Sequence, residues 1–307
     1  MAYNRIYRLV ITPVDLAGNV KGKSIVITSP ITTRFNIQRM PFAGACQATF
    51  DVYNLNKDTR EKLFLDYYDF ENIREIRMEA GYENGKFDLV YRGRIMISKP
   101  QKSRTDVFMH IEAISGLSAL DSMLHVTVKE GETLQDVSGR IINDIPGVQL
   151  GEVSLPDYTF QRPVALIGNG LAVLKKYTKD NVFIDLDQIV VIDKDEVIQG
   201  DVRVISDETG LLGVPERQRT SITVNCMFEP RIKVGQGLEI KSRIAPQFDG
   251  QYKVWGVSHN GIIGGTQGGE CVTTIQLWTG LNLFGRYKSS WEEVKKNNQN
   301  VDIGVVQ

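Results

Sequence analysis

One short stretch of this chain is spelled almost twice. His110-Ile111-Glu112-Ala113-Ile114-Ser115-Gly116-Leu117 aligns with Thr274-Ile275-Gln276-Leu277-Trp278-Thr279-Gly280-Leu281. The Ile, Gly and Leu positions are identical, Glu112 faces Gln276, and Ser115 faces Thr279. Each stretch follows a strand-like segment with its own glycine, Gly93 in the first case and Gly256 in the second. Self-similarity at a distance narrows the architecture before any local pattern does. It predicts one β-rich domain used twice, with the two closing strands at the same place in each copy.

The local patterns agree. To about Leu120 the chain is mainly strands, from Ile6–Thr12 and Ser24–Thr28, split by Gly18, Asn19 and Gly22, onward. Ala48–Val52, Ile76–Ala80, Leu89–Ile97 and Val107–Ala113 place apolar residues at every second position. A period of two means one buried face. One helix interrupts them, capped by Asn56 or Asp58, with Leu63, Phe64, Tyr67 and Tyr68 as its apolar stripe. From Asp121 to Gly210 the character changes. A helix capped by Thr133 runs to Ile145, a second runs from Gly170 to Lys179, and Val182–Asp185 with Gln188–Asp193 forms a hairpin. Strands return with Ile222–Phe228, Leu238–Ile240, Gln251–His259 and Val272–Thr279. After Leu281 the chain is polar, with a short helix from Ser289 or Ser290 to Val294 and a linker at Asn297–Asn300. The reading is mainly β (α+β). A first β-barrel domain with one helix spans 1–120, a small α/β insert 121–210, a second β-barrel domain 211–285 and a tail 286–307.

At 307 residues the chain has room for these units, and its net charge of −1 makes no electrostatic case for nucleic acid. Cys46, Cys226 and Cys271 are too scattered for a disulfide framework or a zinc knuckle, and Cys226 falls in an apolar alternation as a core residue. MAYNRIYRLV lacks the apolar run of a signal peptide, and no segment reaches the roughly 18 apolar residues of a membrane span. The expectation is a soluble chain made in the cytosol.

The motifs that could carry chemistry fall away one by one. Ala17-Gly18-Asn19-Val20-Lys21-Gly22-Lys23-Ser24 fits a loose P-loop, which would make Lys23 a phosphate ligand. A P-loop needs a helix after its Lys-Ser, and Ile25-Val26-Ile27-Thr28 is a strand, so a hairpin turn is expected. His110, His125 and His259 share no metal-ligand spacing and sit beside no nucleophile turn. The acid pairs Asp185/Asp187 and Asp193/Asp195 read as solvated turn residues. Gly261–Gly269 lies between strands and is a hairpin tip, not a dinucleotide fingerprint. No catalytic, cofactor-binding or metal residue is assigned. Val128-Lys129-Glu130-Gly131-Glu132-Thr133-Leu134 resembles the opening of the LysM peptidoglycan-binding module, in which a strand turns through Gly into a Thr-capped helix. Leu150 and Val153 only loosely echo that module's second strand. A peptidoglycan-binding module acting through 125–155 is thus the rival reading.

The order of elements, with three further motifs, resembles a known family. The motifs are Glu208-Thr209-Gly210-Leu211-Leu212-Gly213-Val214-Pro215, Pro230-Arg231-Ile232-Lys233-Val234-Gly235-Gln236-Gly237, and Gly250-Gln251-Tyr252-Lys253-Val254 ahead of His259. Together they look like the baseplate or tail hub proteins of tailed bacteriophages and related contractile injection machines. The likeness covers about 165–281 by motif and 1–120 by architecture. It implies a structural, non-enzymatic virion protein assembled in the host cytoplasm. Such a hub is a homotrimer of chains that each hold two tail-tube-like barrels. Its three-fold ring adapts a spike to the six-fold tail tube, and its channel passes DNA and the tape-measure protein. The implied partners are the spike or tip protein, the tube or tube-initiator protein, and other copies of the chain. With no fused lysozyme or spike before Gln307, cell-wall cutting is expected of a partner.

Overall fold

The computed structural model describes residues 4–279, apart from 41–45, 70, 84, 118, 120–121, 156, 179–180, 193–195 and 266–268. Gly280, Leu281, the C-terminal helix and linker, and the Asp193/Asp195 pair lie outside the described residues. The chain is mainly β, and one antiparallel-rich sheet of 13 strands holds most of the strands described.

The first β unit contains β1 (Arg5–Pro13), β2 (Ile25–Thr28), β3 (Thr33–Arg39), β4 (Gln47–Tyr53), α1 (Lys57–Leu63), β5 (Arg74–Tyr82), β6 (Asp88–Ser103) and β7 (Asp106–Ile114). The insert contains β8 (Met123–Val128), α2 (Leu134–Asp144), β9 (Gln149–Val153), β10 (Val164–Asn169), α3 (Gly170–Thr178), β11 (Val182–Asp185) and β12 (Gln188–Val191). The second β unit contains β13 (Ile198–Ser206), β14 (Leu211–Arg217), β15 (Ser221–Met227), β16 (Gln236–Lys241), β17 (Gly250–Ile263) and β18 (Cys271–Trp278). The strand β13 falls inside the 121–210 stretch read as insert, yet it pairs in parallel with β16.

The repeat extends to strand order and register. The first unit runs β3-β4-β7-β6-β5 and the second β14-β15-β18-β17-β16, with every neighbour antiparallel. Ile111 stands opposite Phe50 and Ser98, and its counterpart Ile275 stands opposite Val224 and Val257. Even the irregularity recurs. The register of β6 slips between Ile95 and Ile97, against Ala113 and Glu112. That of β17 slips between Val254 and Gly256, against Leu277 and Gln276. A bulge leaves one extra residue unpaired and bends the strand, so Met96 and Trp255 are equivalent. Counted from the bulge, Gly93 matches Tyr252 and Gly256 matches Ile97. The two glycines are therefore not counterparts, although the strands that hold them are. Just past the closing strands, the Ser115 amide donates to Cys46 O (2.8 Å) and the Thr279 amide to Thr220 O (3.1 Å), again at matching positions.

The two units join through one strand pair. One edge of β17 serves β16 near Gly237↔Lys253 and then β3 from Val257↔Arg39 to Ile263↔Thr33. The full path runs β14-β15-β18-β17-β3-β4-β7-β6-β5-β1-β2 and, among the described residues, does not close on itself.

Three cores lie beneath this sheet and the insert. The hairpin β11–β12 belongs to two of them. Val182, Ile184, Ile189 and Val191 point into the insert core, while Phe183 and Val190 point into that of the second β unit. Alternation here divides one strand pair between two interiors, which is why every residue of β11 is buried. Each such aliphatic or aromatic side chain contributes about 1.5–3 kcal/mol on burial.

Local signals fold as their chemistry dictates, with two exceptions. Asn56 Oδ1 accepts from the Thr59 amide (2.8 Å) and starts α1. Thr133 Oγ1 accepts from the Asp136 amide (3.2 Å) and starts α2. The first exception is the apolar stripe of α1, because the helix ends at Leu63. Leu65 exchanges hydrogen bonds with Ser98 of β6 (2.8 and 2.9 Å), which pulls the chain out of the helix and leaves Phe64, Tyr67 and Tyr68 exposed. The second is the LysM-like segment. The strand that echoed its second strand, β9, pairs with β12, whereas β8 pairs with β10.

Candidate assembly site

The inward face of β3 reads Thr33, Phe35, Ile37, Arg39, and the last member of that row is a cation with 1% exposure. A buried guanidinium must find a carboxylate and fill its remaining donors. Arg39 does both at the meeting point of the three units. Its Nε and Nη2 grip both carboxylate oxygens of Asp185 (2.9 and 2.6 Å), at the tip of the β11–β12 hairpin. Its Nη1 donates to Ile232 O (3.1 Å) in the loop before β16. Burial works against the charge on Arg39, and Asp185 more than offsets it, so the group stays protonated. One side chain thus ties the first unit to the insert and to the second unit.

Asp187 makes the second tie. Leu186 and Asp187 take left-handed φ of 54° and 58°, the turn geometry that joins strands tightly. That turn aims the Asp187 carboxylate at the repeated Ser-Gly of the first unit. It accepts from the Gly116 amide (2.7 Å) and from Ser115 Oγ (3.0 Å), with Arg92 Nε at 3.5 Å. Burial pushes its pKa up to about 6, against those hydrogen bonds and Arg92. Gly116 must be glycine here: its φ is +71°, and a Cβ would lie 2.7 Å from Ile184 Cγ2. The expectation that Asp185 and Asp187 are solvated is therefore corrected. Both are buried, because the hairpin tip is driven between units by its apolar residues and the acids follow.

The remaining candidates stay apart. His110 lies on the outer face of β7 between Asp51 Oδ1 (2.6 Å) and Glu112 Oε1 (3.1 Å), and His125 is exposed on β8. His259 is fully buried, its Nδ1 at 2.9 Å from Thr273 Oγ1, and burial with the positive charge of Arg39 lowers its pKa to about 3. Cys46, Cys226 and Cys271 are all buried free thiols, and burial pushes Cys226 up to about 12 and Cys271 to about 11. The P-loop-like stretch is the connection of the β1–β2 hairpin, and a strand follows Ser24. Of the glycine-rich tip, Gly261 to Ile263 extend β17. Among the described residues no group of three metal-ligating side chains forms. No helix of the described residues is long and apolar enough to cross a membrane.

The sequence reading missed Arg39 altogether. Its signal is parity: an arginine at an inward position of an alternating strand needs a buried acid.

Three solved structures share this architecture. A tail protein from Neisseria meningitidis MC58 is 11% identical with a TM-score of 0.52, covering 89% of this chain and 96% of that one. The 43 kDa tail protein of prophage MuSo2 from Shewanella oneidensis is 8% identical with a TM-score of 0.53, covering 88% and 98%. A chain of the Francisella PdpA-VgrG complex is 8% identical with a TM-score of 0.51, covering 90% of this chain and 53% of that one. At such identities the likeness is one of fold, shared with two tail proteins and a chain of a PdpA-VgrG complex. The sequence itself matches the baseplate hub gp41 family over residues 14–260, and the chain belongs to that family. It is a structural component of a bacteriophage tail baseplate. No curated protein matches it in sequence.

Proposed function

We propose that the chain is the hub ring of the baseplate: a homotrimer in which three chains present six tail-tube-like β units. The observation that carries this reading is the doubled strand order with its doubled bulge, joined through β17 and β3. Two equivalent units per chain let three chains meet a three-fold spike on one side and a six-fold tube on the other. Closed rings follow when a repeated surface meets its complement at a fixed rotation. Each β unit is proposed to curl as a tube-like barrel around its own core, with the units spanning about 4–116 and 198–279 and the insert 122–192. The spike or tip protein, the tube or its initiator and the tape-measure protein are the proposed partners, and DNA passes through the channel without specific binding. The chain acts by shape, not as an enzyme. The glycan-binding rival is disfavoured, since β9 leaves the module's sheet to pair with β12.

Light scattering on the purified chain should return the mass of three copies, and images should show six lobes with three-fold symmetry. A stable monomer across the concentration range would count against the ring. Retention on purified peptidoglycan would revive the rival.

A further inference from the structure

The repeat supplies an operator as well as a count. Within one chain the second unit grips the first through β17 against β3. By the matched register, β17 corresponds to β6 and β3 corresponds to β14. Applied once more, the same operator brings β6 of one copy toward β14 of the next.

Among the described residues neither edge is paired to a further strand, and neither is suited to strand pairing. β14 ends the sheet among the described residues. Among the described residues, the part of β6 beyond its bulge meets only Leu65 along that edge, through the single Ser98 bridge. Since the backbone of Ser98 points to the edge, so does that of Pro100, two residues on, and proline has no N–H to give. β14 is blunted likewise. Its register slips between Leu212 and Glu216, across Gly213 at φ +71° and Pro215. Prolines and bulges are how sheets refuse a further strand.

Each blunted edge instead carries exposed apolar side chains. Phe64, Tyr67 and Tyr68 flank Leu65 on the β6 side, with Tyr68 at 78% exposure. Leu212, Val214 and Met227 lie on the β14 side, with Val214 at 45%. Aromatic and methionine side chains are what the core of a protein interface favours.

We infer that copies of this chain meet heterologously, the Phe64–Tyr68 loop of one packing on the β14 edge of the next. Strand pairing joins units within a chain and side-chain packing joins them between chains, so the ring is six-fold in shape and three-fold in its bonds. This rests on the trimeric hub reading and names the surfaces that would build it.

The test is cross-linking of the full chain, whose native thiols are buried. Double variants combine Tyr67→Cys or Tyr68→Cys with Leu212→Cys or Val214→Cys. On oxidation at least one pairing should give a denaturing-gel ladder that stops at three bands. An equimolar mixture of the matching single variants should stop at two. Separately, Tyr68→Asp and Val214→Asp should each convert the trimer to monomer while circular dichroism stays unchanged. A native trimer that forms no cross-link in any pairing and keeps its mass with both Asp substitutions overturns this contact and leaves the hub reading standing. A dimer from Tyr68→Cys alone overturns its heterologous character. A native chain that is monomeric throughout overturns the ring and the contact together.

Discussion

Arg39 and Asp185 illustrate what a buried charge pair does and does not provide. Burying both ions costs about as much as their attraction returns, so such a pair is weak evidence of net stability. Removing one partner is another matter, because the other ion is stranded. Arg39→Met should lower unfolding free energy by about 3–5 kcal/mol. Arg39→Met with Asp185→Leu should recover most of that loss, as denaturant titration of the two single variants and the double variant would show. Asp187 behaves oppositely. Its pKa rises from 3.8 to about 6 on folding, so the folded chain holds this proton more tightly than the unfolded one. The stability it contributes is fully present below 3.8 and is lost as pH rises through about 6, so that above 6 the ionised group leaves the fold weaker by a constant amount relative to low pH. That penalty is about 2–3 kcal/mol at neutral pH, since each tenfold change in proton affinity is worth about 1.4 kcal/mol. Asp187→Asn keeps the shape, and asparagine tolerates the left-handed turn. Its melting temperature should exceed that of the parent at pH 7, and the gap should close by pH 4. None of this was visible in the sequence, where two acids flanking a turn look like solvated ones. What buries them is the hairpin's two apolar faces, and those faces belong to different units.

At the scale of elements the sequence was most legible where one face met one core. The alternations of β4, β5, β7, β15 and β18 mark their buried residues directly. The caps of α1 and α2 are equally direct, because capping is a contact within one turn. Legibility failed where a distant strand intervened. β3 ends its inward row in arginine, which hides a strand whose Phe35 and Ile37 are otherwise plain. The α1 stripe failed because Ser98 captures Leu65, a bond no helical periodicity can announce. The two glycines of the repeat make the point quantitatively. They sit in matching strands but at different positions, so they should differ in tolerance. A Cβ on Gly93 would lie 2.6 Å from Tyr91 Oη and 2.7 Å from Ile114 O, with backbone that cannot yield. A Cβ on Gly256 would meet Met40 Cγ at 3.1 Å and Arg39 O at 3.5 Å, and the methionine can move. Gly93→Ala should therefore cost about 2 kcal/mol or more, within the range for overpacking, and Gly256→Ala well under half of that. Equal losses in urea titration would contradict this account of the two sites.

For the whole molecule, the repeated spelling falls on two closing strands of matching order and register, but it could not tell how the two β units join. Closing strands resemble each other because each fills the same slot between a hairpin partner and an earlier strand. The joint, β17 on β3, pairs two strands that are not counterparts of each other, so no self-comparison finds it. Its consequence is dynamic. A sheet that runs through two cores binds them into one cooperative body, whereas the insert's β8–β10 pair stands as a sheet of two strands. Amide exchange reports such differences, since each amide exchanges through the lowest-energy opening that frees it. Amides of Thr33–Arg39 and Val257–Ile263 should exchange as slowly as those of β4 and β18 at the unit centres. Those of β14 and β2, at the sheet ends, and of β8 and β10 should exchange well before them. Early exchange along β3 and β17 would mean that the two units part on their own, and the operator that relates them would then not be a rigid one.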